Sequence, residues 1–196
     1  DIAERAAALI EVEYEVLPHV IDVLEAMKDD APVLHDYMFT GGIKPKPEKA
    51  SNVANRVEFS LGDIEAGFAA ADVVIEKNFT TEPVHQGYIE PHAVVADMGP
   101  DGKVDVFCSS QGHFMVRAFV AGLLKIDMSK IKVTAAEIGG GFGGKTTVYL
   151  EPLAVMLSRK AGRPVRMVMS RDEVFRASGP TSGAALTIKM GATKDG

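Results

Sequence analysis

The sequence predicts an α+β fold with a mixed sheet and packed helices, and three observations support it. Apolar residues make up 46% and charged residues 24% of the 196 residues, which is typical of a soluble globular chain. Strand-like segments on either side of Gly99-Pro100-Asp101-Gly102 predict an antiparallel hairpin. From residue 112 onward, helix-like and strand-like segments alternate. Composition leaves both α/β and α+β open, and we predict the α+β class.

Composition also excludes several classes of function. The net charge of -6 gives no electrostatic support for binding nucleic acid. The single cysteine, Cys108, excludes a disulfide framework, a cysteine-rich zinc site and an iron–sulfur cluster held by this chain. No apolar run approaches the roughly 18 residues that span a bilayer, and the first ten residues carry no signal-peptide pattern. We therefore expect a cytoplasmic protein with neither nucleic acid nor membrane as a partner.

The N-terminal part is predicted to hold short elements followed by a linker. Residues 1–10 predict a helix, the alternating residues 11–18 a strand, and residues 22–27 a short helix. Residues 28–49 are polar, contain glycine and proline pairs, and are typical of a linker. The chain opens within a predicted helix and closes on a hairpin-turn signal, Lys194-Asp195-Gly196. We therefore expect it to be a piece of a longer protein.

The remaining elements follow from local patterns. Ser60 is the predicted N-cap of a helix that ends at Phe68. The next predicted helix, 112–125, has an apolar side formed by Met115, Phe119, Gly122 and Leu123. A last helix ends at Ala161, with Pro152 at its first position or at a kink and with Leu153, Ala154, Leu157 and Ala161 facing the core. The predicted strands are 72–79, 88–98, 103–109, 131–138, 164–170 and 184–191.

A glycine-rich stretch, Gly139-Gly140-Gly141-Phe142-Gly143-Gly144-Lys145-Thr146, lies between a predicted strand and a predicted helix. Five glycines in six residues predict positive φ angles or a close approach of the backbone to another group. The stretch matches the phosphate-loop pattern G-x-x-x-x-G-K-[ST], in which Lys145 would reach phosphates and Thr146 would hold Mg²⁺. The bulky Phe142, the 50 residues that follow Thr146, and the lack of an apolar strand ending in Asp argue against it. A strand–helix turn without a ligand is the third interpretation.

The same stretch also resembles a known family. EIGGGFGGK, preceded by SSQGHF and followed by AGRPVRMVMSRDE, resembles the molybdopterin-binding large subunit of the xanthine dehydrogenase, aldehyde oxidase and carbon monoxide dehydrogenase family. The segments QGYIEPHAVVA and GDIEAGFAAADVVIEKNF extend the resemblance, and VEYEVLPHVIDVLEAM is similar to the end of the family's hammerhead-like domain. The implied division is a hammerhead-like tail (1–30), a linker (31–55) and an incomplete first molybdenum cofactor-binding domain (56–196).

The resemblance implies roles for individual residues. Gly140, Gly141 and Gly143 would bring the backbone close to the pterin, and the main chain of Phe142 would lie beside molybdenum. Gln111 would approach a molybdenum oxygen through its side-chain amide. Gln111 and Phe142 would then surround the metal without ligating it, because the family's metal ligands come from the cofactor, oxygen and sulfide. Oriented amides of this kind tune a metal centre without competing for coordination.

Two further implications concern substrate and catalysis. Thr146 stands where purine-oxidising members carry a glutamate, which disfavours a purine as substrate. It leaves aldehydes, other N-heterocycles, acyl thioesters and carbon monoxide open. The family's glutamate base lies far C-terminal to the loop, beyond Gly196. We therefore expect no catalytic residue in this chain and no activity from the chain alone.

The whole protein implied by the resemblance is a molybdenum-dependent oxidoreductase. It would oxidise or hydroxylate a small molecule with water-derived oxygen and pass electrons through iron–sulfur clusters to FAD on other domains or subunits. We expect the cytosine dinucleotide form of molybdopterin and an oligomeric assembly. Two alternatives from other classes remain, which are a nucleotide-binding module and an assembly domain without a ligand.

One other cluster merits a prediction. Glu90 and His92 are two residues apart in a predicted strand, hence on one face, and Glu82 and His85 are near in sequence. A metal site needs a defined third or fourth ligand, and none is evident. We favour structural polar contacts for these side chains.

Overall fold

The computed structural model describes residues 2–195 and divides the chain into two compact units, Asp1–Ala69 and Ala70–Gly196. The first unit has little regular structure. Its helices are α1 (Ile2–Ala7), α2 (Val23–Ala26) and most of α3 (Ile64–Ala70). No helix within residues 2–195 is long and apolar enough to cross a membrane.

Local capping explains where these short helices begin. The carboxylate of Asp22 accepts hydrogen bonds from the backbone N–H groups of Leu24 and Glu25, both at 2.9 Å, which confirms the predicted helix there. Ser60 as the cap of α3 is wrong. Asp63 directly precedes the helix and accepts from the N–H of Ala66 at 3.0 Å.

The predicted strand at 11–18 is also wrong. All eight residues are described, and they form neither a helix nor a strand. An alternating pattern forms a strand only where another strand satisfies its backbone groups, and none pairs with it among residues 2–195. The predicted linker at 28–49 likewise has no helix or strand, although Gly41 forms an isolated bridge with Asn55.

The second unit is built on a four-stranded mixed sheet in the order β4-β3-β2-β5, which confirms the predicted fold class. Strands β2 (Ala93–Met98) and β3 (Val104–Cys108) form the predicted antiparallel hairpin. Strand β4 (Ile131–Ala135) runs parallel to β3, and β5 (Val165–Val168) runs antiparallel to β2. A separate antiparallel ribbon joins β1 (Val73–Thr81) to β6 (Ala184–Ala192), so the last strand of the chain has a partner.

Three helices accompany the sheet. They are α4 (His113–Leu124), α5 (Glu151–Ala161) and α6 (Arg171–Ala177), and a single 3-10 turn covers Met128–Lys130. The core lies between the sheet and the first two helices and consists of small and branched apolar residues: Val94, Ala96, Val104, Val106, Ile131, Val116, Val120, Ala121, Ala154 and Val155.

The predicted core face of α5 is largely wrong, and the predicted apolar side of α4 does not face the core. Val116 and Val120 face the core in α4, whereas Met115, Phe119 and Leu123 are exposed. In α5 the predicted Ala154 is buried, but it is joined by Val155 and Ser158, and the predicted Leu153 and Leu157 are exposed. The sequence of α4, HFMVRAFVAGLL, is apolar on nearly all sides, so periodicity alone does not select the buried stripe.

The glycine-rich stretch does not run directly into a helix as predicted. Helix α5 begins at Glu151, and Pro152 takes its second position rather than the first. Pro is tolerated there because the first N–H groups of a helix have no partner within it. Similarly, β2 begins at Ala93 rather than at residue 88, after Pro91, which cannot donate to a strand ladder.

Candidate functional site

The strand directions bring four chain segments to one edge of the sheet. β3 and β4 are parallel, so the residues that follow Cys108 and Ala135 emerge side by side. β2 is antiparallel to β3 and therefore begins at that edge, and the residues after β5 leave there as well. Gln111, the glycine loop (defined here as residues 139–144), the segment 88–92 and Arg171 consequently meet.

The glycine loop has the backbone conformations that its composition predicts. Gly140 has a φ of 94° and Gly143 a φ of 90°, and Phe142 also lies in the left-handed region with a φ of 49°. The N–H of Gly144 donates to the carbonyl of Gly141 at 2.7 Å and closes a tight turn. The side chain of Phe142 points outward, and the residue is 75% exposed.

Gln111 holds the far end of the glycine loop. Its Oε1 accepts hydrogen bonds from the backbone N–H groups of Gly143 at 3.0 Å and Lys145 at 3.2 Å. The carbonyl of Lys145 in turn accepts from the N–H of Gln111 at 2.9 Å and from the hydroxyl of Ser110 at 3.1 Å. The structure thus brings Gln111 and the loop together. Ser110 is a contributor that the sequence analysis missed.

Several loop glycines are required by contacts within the protein. A Cβ on Gly141 would lie 2.5 Å from Oε1 of Gln111, one on Gly144 would lie 2.7 Å from Cε1 of Tyr88, and one on Gly139 would lie 2.7 Å from Cβ of Glu90. Gly143 differs, because its Cβ would meet no atom within 4 Å. The loop therefore packs its inner side against protein side chains and leaves Phe142 and Gly143 on an open side.

Lys145 points into the protein. Its ammonium donates to Oε2 of Glu90 at 2.7 Å and lies 5.0 Å from the centre of the Tyr88 ring. Burial alone would raise the pKa of Glu90, but hydrogen bonds from Lys145 and from the N–H of Gly139, together with the lysine charge, outweigh it and lower the pKa below the usual 4.5. A phosphate loop needs this lysine on its open side, so the geometry contradicts that interpretation. Sequence reasoning missed the pair because the two residues are 55 positions apart.

Thr146 is exposed, and its hydroxyl forms a hydrogen bond to the glycine loop. Oγ1 donates to the carbonyl of Gly143 at 3.0 Å. The hydroxyl proton is therefore used, and the oxygen retains lone pairs that can accept a hydrogen bond. The predicted role of Thr146 toward a substrate stays a prediction.

The polar residues beside Glu90 make structural contacts. Nε2 of the buried His92 lies 2.6 Å from the hydroxyl of Tyr88, and His85 bonds Oγ of Ser178 at 2.9 Å. Burial, reinforced by the nearby Lys145, lowers the pKa of His92 from 6.5 to about 4 and keeps the ring neutral. Within residues 2–195, no three His, Cys, Asp or Glu side chains are grouped to hold a metal ion.

Arg171 anchors the segment that carries Glu90. Its guanidinium donates to the carbonyl of Tyr88 at 2.9 Å and also to the carbonyl of Ile89. Arg171 begins α6, whose cap is a reciprocal pair of bonds between Ser170 and Glu173. Arg171 therefore links the segment 88–92 to a helix whose N-terminus is capped.

Comparison with known proteins identifies what this arrangement is similar to. The family model for the molybdopterin cofactor-binding domain matches residues 45–196. A probable hypoxanthine oxidase of Escherichia coli K12 is 34% identical over 222 residues, covering 100% of this chain and 23% of that protein. The nicotinate dehydrogenase large molybdopterin subunit of Eubacterium barkeri is 31% identical over 196 residues, covering 100% of this chain and 43% of that subunit.

Solved structures give the same result. A carbon monoxide dehydrogenase from Oligotropha carboxidovorans matches with a TM-score of 0.79 and 33% identity, over 100% of this chain and 25% of that one. Quinoline 2-oxidoreductase from Pseudomonas putida 86 matches with a TM-score of 0.81 and 28% identity, over 98% of this chain and 23% of that one. The chain thus spans less than half the length of each of these proteins.

Proposed function

Because this chain belongs to the family of molybdopterin cofactor-binding domains, we propose that it forms one wall of the cofactor pocket of a molybdenum-dependent dehydrogenase or oxidase. One observation carries the placement of the pocket. The backbone N–H groups of Gly140, Gly141 and Phe142 donate to no residue within 2–195, although the N–H groups on both sides of them are bonded. Exposed N–H groups bond water, and a ligand with acceptor atoms can take the place of that water, so these three donors are available to a bound group.

The shape of the loop fits this cofactor. Consecutive N–H groups in a turn that passes through positive φ form a concave site for anionic oxygens. Molybdopterin and its metal are rich in such oxygens. The open space at Gly143 admits a group close to the backbone, where a side chain would exclude it.

Each proposed binding residue then has a physical task. The glycine loop donates through the N–H groups of Gly140, Gly141 and Phe142, and Gly143 leaves the space into which the cofactor fits. Gln111 has its Oε1 fixed by two N–H groups, so its Nε2 is oriented away from them to donate to an oxygen near the metal. Gln111 and Phe142 would lie beside molybdenum without ligating it. When bound, the cofactor supplies the two-electron chemistry.

Thr146 contributes to substrate selection. Because its hydroxyl proton is used by Gly143, Thr146 offers a substrate only an acceptor and no charge. A glutamate at this position would instead offer a carboxylate. The substrate classes that fit are aldehydes, N-heterocycles other than purines, acyl thioesters and carbon monoxide.

The remaining parts of the enzyme lie outside this chain. We place the catalytic base beyond Gly196, and the iron–sulfur clusters and FAD on other domains or subunits of a cytoplasmic oligomer. The nicotinate dehydrogenase relative is a large molybdopterin subunit, which supports division among subunits. The proposed pterin form is the cytosine dinucleotide. Residues 1–30 are proposed as the tail of a hammerhead-like domain and 31–55 as a linker to the domain at 56–196.

The test is the metal and pterin content of the full-length protein. We expect about one molybdenum per polypeptide, with pterin fluorescence in the same sample. Gln111→Ala removes the oriented amide and should speed loss of molybdenum during dialysis about 10–100-fold. Lys103→Gln, which breaks an exposed ion pair with Asp101 in the hairpin turn at the opposite end of β2 and β3, is the matched control and should not change that rate.

The two alternatives predict different results. A nucleotide-binding module would bind ATP with Mg²⁺ and lose it in Lys145→Ala. The ion pair between Lys145 and Glu90 argues against this outcome. An assembly domain without a ligand would give a matured full-length protein that contains no molybdenum and no pterin, and that result would overturn the proposed function.

A further inference from the structure

A single carboxylate oxygen joins the two ends of the glycine loop. Oε2 of Glu90 accepts from the N–H of Gly139, the first loop residue, at 2.7 Å, and from the ammonium of Lys145, directly after the last one, also at 2.7 Å. Gln111 makes a second bridge, between the N–H groups of Gly143 and Lys145. The loop is therefore closed by two side chains that come from outside it.

The ion pair between Glu90 and Lys145 is largely shielded from solvent. The Lys145 side chain is 0% exposed and that of Glu90 is 33% exposed. The ring of Tyr88 covers the ammonium, and Arg171 fixes the backbone of residues 88 and 89. The carboxylate therefore occupies a defined position, and its two hydrogen bonds hold Gly139 and Lys145 at that position.

We propose that Glu90 and Lys145 are positioning residues that set the opening of the glycine loop, and through it the placement of Phe142 and Gln111 against the cofactor. This role rests on the proposed function of the loop. Lys145 contacts both of the side chains that close the loop. Its ammonium donates to Glu90, its backbone N–H donates to Oε1 of Gln111, and its carbonyl accepts from the N–H of Gln111. A change at the ion pair is thus transmitted directly to the amide of Gln111.

A purely structural role makes a different prediction from a positioning role. A buried ion pair can often be replaced by apolar residues of similar size without loss of stability. Apolar side chains cannot supply the two directional hydrogen bonds that hold Gly139 and Lys145 to one point. Stability and loop geometry can therefore be separated by experiment.

The decisive variant is Glu90→Met/Lys145→Met in the full-length enzyme, since removal of one partner alone leaves an unpaired buried charge. Three quantities are measured: molybdenum loss from the holoenzyme during dialysis, hydrogen exchange of a peptide covering 137–148 after cofactor removal, and the thermal midpoint of that cofactor-depleted protein. We expect the first two to quicken about tenfold or more. The midpoint should stay within about 3 °C of the wild-type value.

The control is Asp101→Asn/Lys103→Gln, which removes an exposed ion pair from the hairpin turn at the opposite end of β2 and β3 and should leave all three quantities unchanged. Wild-type rates of molybdenum loss and hydrogen exchange in the Met/Met variant would overturn the positioning role. If that variant does not accumulate, Lys145→Arg keeps the charge but moves the donor atoms, and the same two rates decide. Wild-type protein without molybdenum or pterin would instead refute the proposed function, and exchange at 137–148 would still test the closure of the loop.

Discussion

Substitution of Gly141 by alanine isolates the packing of the glycine loop against Gln111. The φ angle of Gly141 lies outside the left-handed region, so alanine adds no backbone strain there. The added Cβ would lie 2.5 Å from Oε1 and 2.7 Å from Cδ of Gln111, well inside ordinary contact distance. One of the two groups must move, and the Gln111 side chain is the more mobile.

The size of the effect follows from the bonds that this movement breaks. Oε1 of Gln111 accepts from the N–H groups of Gly143 and Lys145, and a shift of the amide loses both. At about 0.5–1.5 kcal/mol for each bond, the local opening free energy falls by about 1–3 kcal/mol. Hydrogen exchange at these two amides should then be about 5–150 times faster. Molybdenum occupancy should fall with it, because the amide of Gln111 is displaced.

A double-mutant cycle with Gln111→Ala checks the cause. If the clash with Gln111 is responsible, Gly141→Ala should have almost no further effect on exchange once that side chain is truncated. Exchange is followed on the peptide 137–148 of the full-length, cofactor-depleted protein. Equal effects of Gly141→Ala with and without the Gln111 side chain would refute the steric reasoning.

Four further results are expected. Gly122→Ala, at an exposed position in α4 with open space around its Cβ, should stabilise the protein by about 0.5–1 kcal/mol in thermal unfolding. Burial raises the pKa of the Cys108 thiol to about 12, so native protein should resist iodoacetamide at this residue until urea unfolds it. The pKa of His92 is lowered to about 4 in the folded protein, so the unfolded chain binds the extra proton between pH 6.5 and 4. Stability should therefore fall by on the order of 3 kcal/mol as the pH drops through that window, with a flatter profile in His92→Gln. Ser158→Ala removes the acceptor of the Met98 N–H and should cost about 1–3 kcal/mol in urea unfolding.

Much of the fold could be predicted from short stretches of the sequence. The turn at 99–102 specified the hairpin of β2 and β3, because glycine and proline there fix the chain reversal between two apolar strands. The glycine cluster specified positive φ angles, and these occur at Gly140 and Gly143. The buried face of α4 could not be predicted from the sequence, because an apolar helix has several apolar stripes. Packing against the sheet determines that Val116 and Val120 are the buried ones. The strand at 11–18 failed because alternation does not supply a partner.

At the candidate site, a motif of consecutive residues does not predict which group the lysine side chain contacts. The pattern G-x-x-x-x-G-K-[ST] describes only consecutive residues, and it fits this loop completely. Whether the lysine meets a phosphate depends on the direction of its side chain, and a carboxylate 55 residues earlier determines that direction here. Glu90 holds the ammonium inward, Gln111 accepts from the N–H groups at the end of the loop, and the N–H groups of Gly140, Gly141 and Phe142 donate to no residue within 2–195. A phosphate loop has its lysine outward, whereas here the lysine is inward, and we propose that the backbone donors of the loop face an oxygen-rich cofactor instead.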